Sequence, residues 1–155
     1  MEQFQTGWYA ITFLADISGY IAENRGGHLI VVQRAGRNVY KVELNDDASV
    51  SIYSSKRDKY LHLDAGAFLF NAPNKAMPNA RFELYEVKRH EGHDVELEGG
   101  RGSVYIPTYI SARLKSLANG EFLRVRESKN RKGQAAFSTV YDNWDATKFD
   151  FEVQS

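Results

Sequence analysis

The segment KYLHLDAGAFLFNAPNKAMPNARFELYEV, residues 59–87, shows a clear order of apolar runs and turn residues. An apolar strand begins at Tyr60, Gly66 lies in a turn, and residues 68–70 form an aromatic return strand. After a loop with two prolines, a further strand alternates apolar and charged residues from Phe82 onward. Short apolar runs separated by Gly and Pro are typical of β-strands joined by tight turns. The stretch therefore predicts one closed unit of β structure.

The same order of landmarks occurs three times along the chain. In each copy the first two strands have landmarks seven residues apart, and a glycine turn and a return strand follow. The landmarks are Phe13, Tyr20, Gly27 and Leu29 in the first copy, Tyr53, Tyr60, Gly66 and Phe68 in the second, and Ile106, Arg113, Gly120 and Phe122 in the third. Similarity at a fixed period is the signature of a repeat architecture.

This spacing predicts a single domain over residues 1–155 that contains three pseudo-repeats. The repeats lie near 8–46, 47–89 and 101–153. On this alignment, residues 90–103 connect the second and third repeats, and residues 128–145 enlarge the interior of the third repeat.

Each repeat contains about four short strands, which predicts an all-β fold of roughly twelve strands. Three such units that close on one another describe a β-trefoil, a barrel capped by three hairpins, in which closure removes exposed sheet edges. The predicted core consists of Phe13, Leu29, Val42, Ile52, Leu61, Phe68, Phe82, Leu84, Ile106, Leu114, Phe122, Phe149 and Phe151. The alternative is a lipocalin-like barrel, because the segments TGWY and STVYDNW are similar to lipocalin sequence signatures. Lipocalin barrels, however, have no threefold repeat.

Composition limits the classes of partner. Lys plus Arg and Asp plus Glu both number 20, so the formal charge is zero and disfavours nucleic acid. The chain has no cysteine, which excludes disulfides and thiol catalysis and indicates a reducing compartment. We see neither a signal peptide nor an apolar run long enough for a membrane span. The sequence therefore predicts a cytoplasmic protein without a membrane partner, and leaves its oligomeric state open.

The repeat resembles that of fascin-like β-trefoils, the actin-crosslinking family. The residues that carry the resemblance are KYL at the second strand, Gly66 in the turn, and ARFELYEV at the close of the second repeat. The first repeat has VYKVEL in place of the closing motif, and the third has Arg113 where an aromatic residue is expected. The resemblance implies a trefoil fold and actin binding, although crosslinking by a single trefoil would need dimerisation or two binding faces.

The sequence contains no convincing catalytic constellation. His90 and His93, with Glu91 and Asp94, form the one plausible metal cluster, but a charged solvated connector accounts for the same residues. The segment GGRGS, residues 99–103, lacks the lysine and helix that a phosphate-binding loop requires. We therefore expect no enzymatic activity, no bound metal and no cofactor.

The segment 128–145 is the predicted ligand-binding site, because binding residues concentrate on loops that a rigid scaffold holds. It combines basic residues with aromatic and amide side chains, namely Lys129, Arg131, Lys132, Tyr141, Asp142, Asn143 and Trp144. Aromatic faces cover the C–H surface of sugars, while polar neighbours bind the hydroxyl groups. The structural alternative is that Trp144 closes the bottom of the barrel, since Trp is highly buried on average.

Three functions fit these features. Carbohydrate binding is the first, because the aromatic and the basic residues of segment 128–145 both suit a glycan. Actin binding is the second, as the fascin resemblance implies. The third is protease inhibition, in which an exposed loop enters the active site of the protease.

Overall fold

The computed structural model describes residues 4–154. Its strands are β1 Gly7–Leu14, β2 Ser18–Glu23, β3 Leu29–Val32, β4 Tyr40–Leu44, β5 Val50–Ser54, β6 Lys59–Asp64, β7 Ala67–Ala72, β8 Phe82–His90, β9 His93–Glu96, β10 Ser103–Ile106, β11 Tyr109–Ser116, β12 Phe122–Glu127, β13 Ala135–Val140 and β14 Phe149–Val153. The helical segments among these residues are single 3-10 turns, and none is long and apolar enough to cross a membrane.

Six strands form a closed ring. Strand β1 pairs with β4, β4 with β5, β5 with β8, β8 with β11, β11 with β14, and β14 returns to β1. The remaining strands of this sheet form the hairpins β2–β3, β6–β7 and β12–β13. The second strands of these hairpins, β3, β7 and β13, contact one another. A six-stranded barrel with three hairpins at one end is a β-trefoil, so the predicted all-β trefoil class is confirmed.

The repeats meet in a shared apolar core. The first strands contribute Ile11, Ile52 and Leu114, and the second strands contribute Ile21, Leu61 and Leu123. Most of the predicted core residues are buried, and Leu84 is half-buried against this cluster. The prediction was wrong for Ile106, which is 37% exposed because its strand lies outside the barrel.

The first two strands of the third repeat are each the next strand along the chain from the one that the spacing indicated: the first is β11, not the strand at Ile106, and the second is β12, not the strand at Arg113. The seven-residue interval with a paired register joins Lys115 of β11 to Phe122 of β12, as it joins Tyr53 to Tyr60 in the second repeat. Gly120 consequently turns the chain between the first and second strands. Residues 128–145 are thus no insertion, because they include the hairpin turn and all of β13. The apolar composition of SVYI in β10 is typical of a barrel strand, so the spacing was assigned to β10. The true landmark residue in β11 is Lys115, which is charged and does not match the apolar or aromatic landmarks of the other repeats.

The segment that breaks the threefold pattern is the hairpin β9–β10, between the second and third repeats. It forms a separate two-stranded sheet in which every strand residue is exposed. Its register pairs His93 with Ile106 and Val95 with Val104, so one face carries apolar side chains. The barrel strands on either side still pair directly, with His90 opposite Tyr109.

We predict that the barrel folds without this hairpin. Replacement of residues 93–106 by Asn-Gly should change the free energy of unfolding by only about 1 kcal/mol, because no side chain of the barrel core is lost. The short turn can close the gap since His93 and Ile106 are a cross-strand pair, with Cα atoms about 5 Å apart. Urea unfolding measures the change. Phe82→Ala is the positive control, because loss of this fully buried ring should cost about 3–5 kcal/mol. An equal loss in both variants would contradict the prediction.

Candidate ligand-binding site

A 3-10 turn precedes the fourth strand in every repeat. The turns are Arg34–Gly36, Pro78–Ala80 and Asn143–Asp145, and their central residues are Ala35, Asn79 and Trp144. The barrel therefore does not require a large aromatic residue at this position. Trp144 is the feature that distinguishes the third repeat.

Trp144 and the nearby Tyr141 both lie on the surface, with 85% of each residue exposed. The structural alternative, in which Trp144 closes the barrel bottom, is thereby excluded. The carboxylate of Asp142 accepts a hydrogen bond from the backbone N–H of Trp144 at 3.0 Å and caps the turn. Both rings are therefore available to solvent beside the capped turn.

Arg113 holds this turn against the barrel. Its guanidinium donates to the backbone carbonyls of Asn143 and Ala146, and its Nε lies 2.6 Å from a carboxylate oxygen of Glu86. Glu86 occupies the β-bulge of β8 with a positive φ of 55°, where β8 and β11 shift register. The Arg113 side chain is only 16% exposed. Arg113, on the first strand of the third repeat, therefore positions the Trp144 turn.

A second anchor fixes the other end of the same connection. The buried Thr147 hydroxyl accepts a hydrogen bond from the N–H of Val125 at 2.8 Å, and the Thr147 N–H donates to the carbonyl of Leu123. Trp144 is thus presented from a connection tied to β11 on one side and β12 on the other. Asn143 is half-buried, and its side-chain oxygen has no hydrogen-bond partner among the described residues.

The predicted basic residues lie in a separate place. Lys129, Arg131 and Lys132 are exposed in the turn 128–134 at the tip of the hairpin β12–β13, which we call the basic turn. In this hairpin Glu127 pairs with Ala135 and Phe122 with Val140, so Tyr141 follows the opposite end. Five residue steps along a strand span about 17 Å. The predicted site therefore falls into two groups that lie apart. One group is the segment from Tyr141 to Trp144, and the other is the three basic residues of the basic turn.

A groove along β12 connects the two groups. Two open clefts of about 370 and 500 Å³ share Asp16, Arg124 and Arg126, and together they form what we call the third-repeat groove. It extends from Asp145 and Lys148, beside the Trp144 turn, to Lys129 at the basic turn. An extended ligand could therefore reach both groups, whereas a compact one could not.

The third-repeat groove is basic although the whole chain is neutral. Arg126 lies 3.6 Å from Asp16. Within residues 4–154, Arg124, Lys129 and Lys148 make no ion pair. Arg124 and Arg126 are close together in the sequence, whereas Lys148 joins them only because β14 lies beside β1 and β11.

The two histidines considered as metal ligands lie on strands of different sheets. His90 ends the barrel strand β8 and stacks on Tyr109, with ring centroids 4.3 Å apart. His93 begins the exposed hairpin β9–β10. In the described part of the chain, no group of three His, Asp or Glu side chains is arranged to hold a metal ion.

No protein-family model matches the chain, and no curated protein sequence matches it. Solved structures do. The yeast (S. cerevisiae) protein O-mannosyltransferase Pmt1-Pmt2 complex bound to the sugar donor matches with a TM-score of 0.67 and 12% identity over 99% of this chain. The chain spans 25% of the length of that protein.

Two further matches extend over nearly all of both chains. The designed 3-fold symmetric protein ThreeFoil matches with a TM-score of 0.62 and 14% identity, over 96% of this chain and 99% of the other. The SDF2-like protein from Arabidopsis thaliana matches with a TM-score of 0.59 and 10% identity, over 94% and 93%. At these identities the likeness establishes the trefoil fold alone, so the resemblance to fascins stays a prediction.

We predict that Arg113 is required for order in the Trp144 turn. Arg113→Met should remove about 1–2 kcal/mol from the free energy of unfolding, because two carbonyls lose a charged donor. Amide hydrogen exchange should accelerate at Asp145 and Ala146, whose N–H groups close the turn. The control is Arg126→Met, which removes an exposed ion pair and should cost under about 0.5 kcal/mol. Equal effects of both substitutions, with exchange in the turn unchanged, would contradict this role.

Proposed function

We propose that the protein is a non-catalytic binding module and that it binds carbohydrate at the Trp144 turn and the adjoining third-repeat groove. The observation that carries the proposal is Trp144 itself, 85% exposed on an anchored turn where the other repeats have Ala35 and Asn79. A rigid indole face in solvent is suited to the C–H surface of a sugar ring. We place the protein in a reducing compartment such as the cytoplasm, because a chain without cysteine forms no disulfide.

The surroundings of Trp144 supply groups that suit a sugar. Tyr141 offers a second exposed ring, and Asp145 and Lys148 at the end of the groove offer an acceptor and a donor for hydroxyl groups. The site is shallow and open, as expected for a ligand bound on a surface. Farther along the groove, Arg124 and Lys129 would favour a ligand that carries negative charge.

Actin binding is the second candidate, and the basic turn favours it. The exposed Lys129, Arg131 and Lys132 project from a hairpin tip, where they can reach a large acidic surface that cannot enter the groove. Because this mode uses the basic turn and sugar stacking uses Trp144, the two functions depend on different residues.

The two candidates predict opposite effects for two variants, measured on a glycan array and by co-sedimentation with filamentous actin. If the protein binds sugar, Trp144→Ala should weaken glycan binding at least roughly tenfold. Replacement of Lys129, Arg131 and Lys132 by Ala should weaken glycan binding less, and only at low salt. If it binds actin, the triple variant should lose co-sedimentation while Trp144→Ala retains it.

The matched control is Tyr105→Ala, which removes another exposed ring, 61% exposed, from the hairpin β9–β10. All these side chains are on the surface, so each variant should keep the thermal midpoint of the parent protein. Glycan binding that survives Trp144→Ala, or falls equally in Tyr105→Ala, would contradict the carbohydrate proposal.

A further inference from the structure

A second cleft lies where the first and second repeats meet. It has a volume of about 570 Å³ and lies between the turn after β2 and the turn after β5. Four cationic side chains line it, together with two amides: Arg25, Lys56, Arg57, Lys59, Asn24 and Asn71. These residues come from both repeats and converge only in the folded chain. Glu23 is the acidic residue in the lining.

Glu23 is buried and paired within the protein. Its side chain is 2% exposed, and one carboxylate oxygen lies 2.5 Å from Nε of Arg57. The other accepts hydrogen bonds from the hydroxyls of Ser54, at 2.6 Å, and Tyr40, at 3.2 Å. Burial raises the pKa of the Tyr40 phenol far above its usual value, so this hydroxyl remains a donor. The carboxylate therefore neutralises Arg57.

Arg57 has a structural role for the same reason. Besides its ion pair with Glu23, its guanidinium donates to the backbone carbonyls of Asn24 and Arg25. It thereby ties the hairpin turn of the first repeat to the second repeat. Gly27 lies in the same turn at a φ of 89°, and its carbonyl accepts from the N–H of Phe70. The wall of the cleft is thus fixed before any ligand arrives.

The remaining charges in the cleft have no counter-ion. Within the described chain, Arg25, Lys56 and Lys59 form no ion pair, and Lys59 is half-buried. The side-chain oxygen of Asn24 already accepts from the N–H groups of Gly26 and His28, which leaves its NH₂ group as a donor. The cleft therefore offers donors and positive charge, while its one carboxylate is occupied.

We propose that this cleft binds an oxyanion, namely the sulfate or phosphate ester group of a small ligand. Lysine ammonium groups and the arginine fork are the side chains that bind such groups most strongly. Lysines in turns ordinarily serve solubility alone. Here Lys56 and Lys59 of the second repeat meet Arg25 of the first on one concave surface. Lys59 is half-buried, and the neighbouring Glu23 is already paired with Arg57. The proposal is independent of the Trp144 turn, which lies in the third repeat.

The test is a ¹H–¹⁵N NMR titration of the full chain with sodium sulfate and with sodium phosphate, at an ionic strength held constant with sodium chloride. The proposal predicts saturable shifts of the Gly26, Gly27 and Lys59 amides. The double substitution Lys56→Gln and Lys59→Gln should weaken binding at least roughly tenfold, since it removes two charged donors. Lys56→Gln alone, at an exposed position, should give a smaller loss in the same direction.

The control removes the same number of charges elsewhere, with Lys129→Gln and Lys132→Gln in the basic turn. It should leave the affinity unchanged, as should Trp144→Ala. Equal weakening by both double variants, shifts that follow ionic strength alone, or loss of sulfate binding in Trp144→Ala would each overturn the proposal. A failure here leaves the glycan-array results at Trp144 unaffected. Titration with a sulfated disaccharide and with a sugar phosphate then identifies which ester the cleft prefers.

Discussion

The pairing of the first barrel strand with the last closes the barrel, and the three repeats share one core because this ring is closed. Strand β1 pairs with β4 of its own repeat and with β14 of the third repeat, so the two ends of the chain are joined in the ring. The ring encloses an apolar centre to which equivalent strands contribute Ile11, Ile52 and Leu114. Burial of each such side chain stabilises the fold by about 1.5–3 kcal/mol. Because the three repeats meet there, none of them has a complete core alone.

A core built from equivalent residues leaves the connections free to differ. The 3-10 turns before the fourth strands have the same position in each repeat, yet one presents Ala35, one Asn79 and one Trp144. The junctions between repeats differ in the same way. Arg57 neutralises a buried Glu23 at one junction, whereas Asp16 faces Arg126 at another. Binding surfaces can therefore arise in one repeat without a cost to the barrel.

Much of the fold could be predicted from the sequence, because the first two repeats keep their turns and apolar landmarks at matching intervals. The third could not be aligned, since the exposed SVYI of β10 has the composition of a barrel strand. The sequence also left open whether Trp144 is exposed, because Trp is highly buried on average. The contact of Glu23 with Arg57 joins residues 34 positions apart, and the anchoring of Asn143 by Arg113 depends on a β-bulge. Such pairings leave no local pattern.

On the proposed function, a bound glycan covers the anchored and solvent-exposed indole of Trp144. Trp8→Phe leaves Trp144 as the sole tryptophan, because the chain has two. The most direct measurement is acrylamide quenching of its fluorescence during titration with a glycan. We expect strong quenching in the free protein, because the indole lies in solvent, and a saturable decrease in quenching as the glycan binds. Weak quenching in the free protein, or quenching that stays constant while the glycan saturates, would rule out a ligand stacked on Trp144.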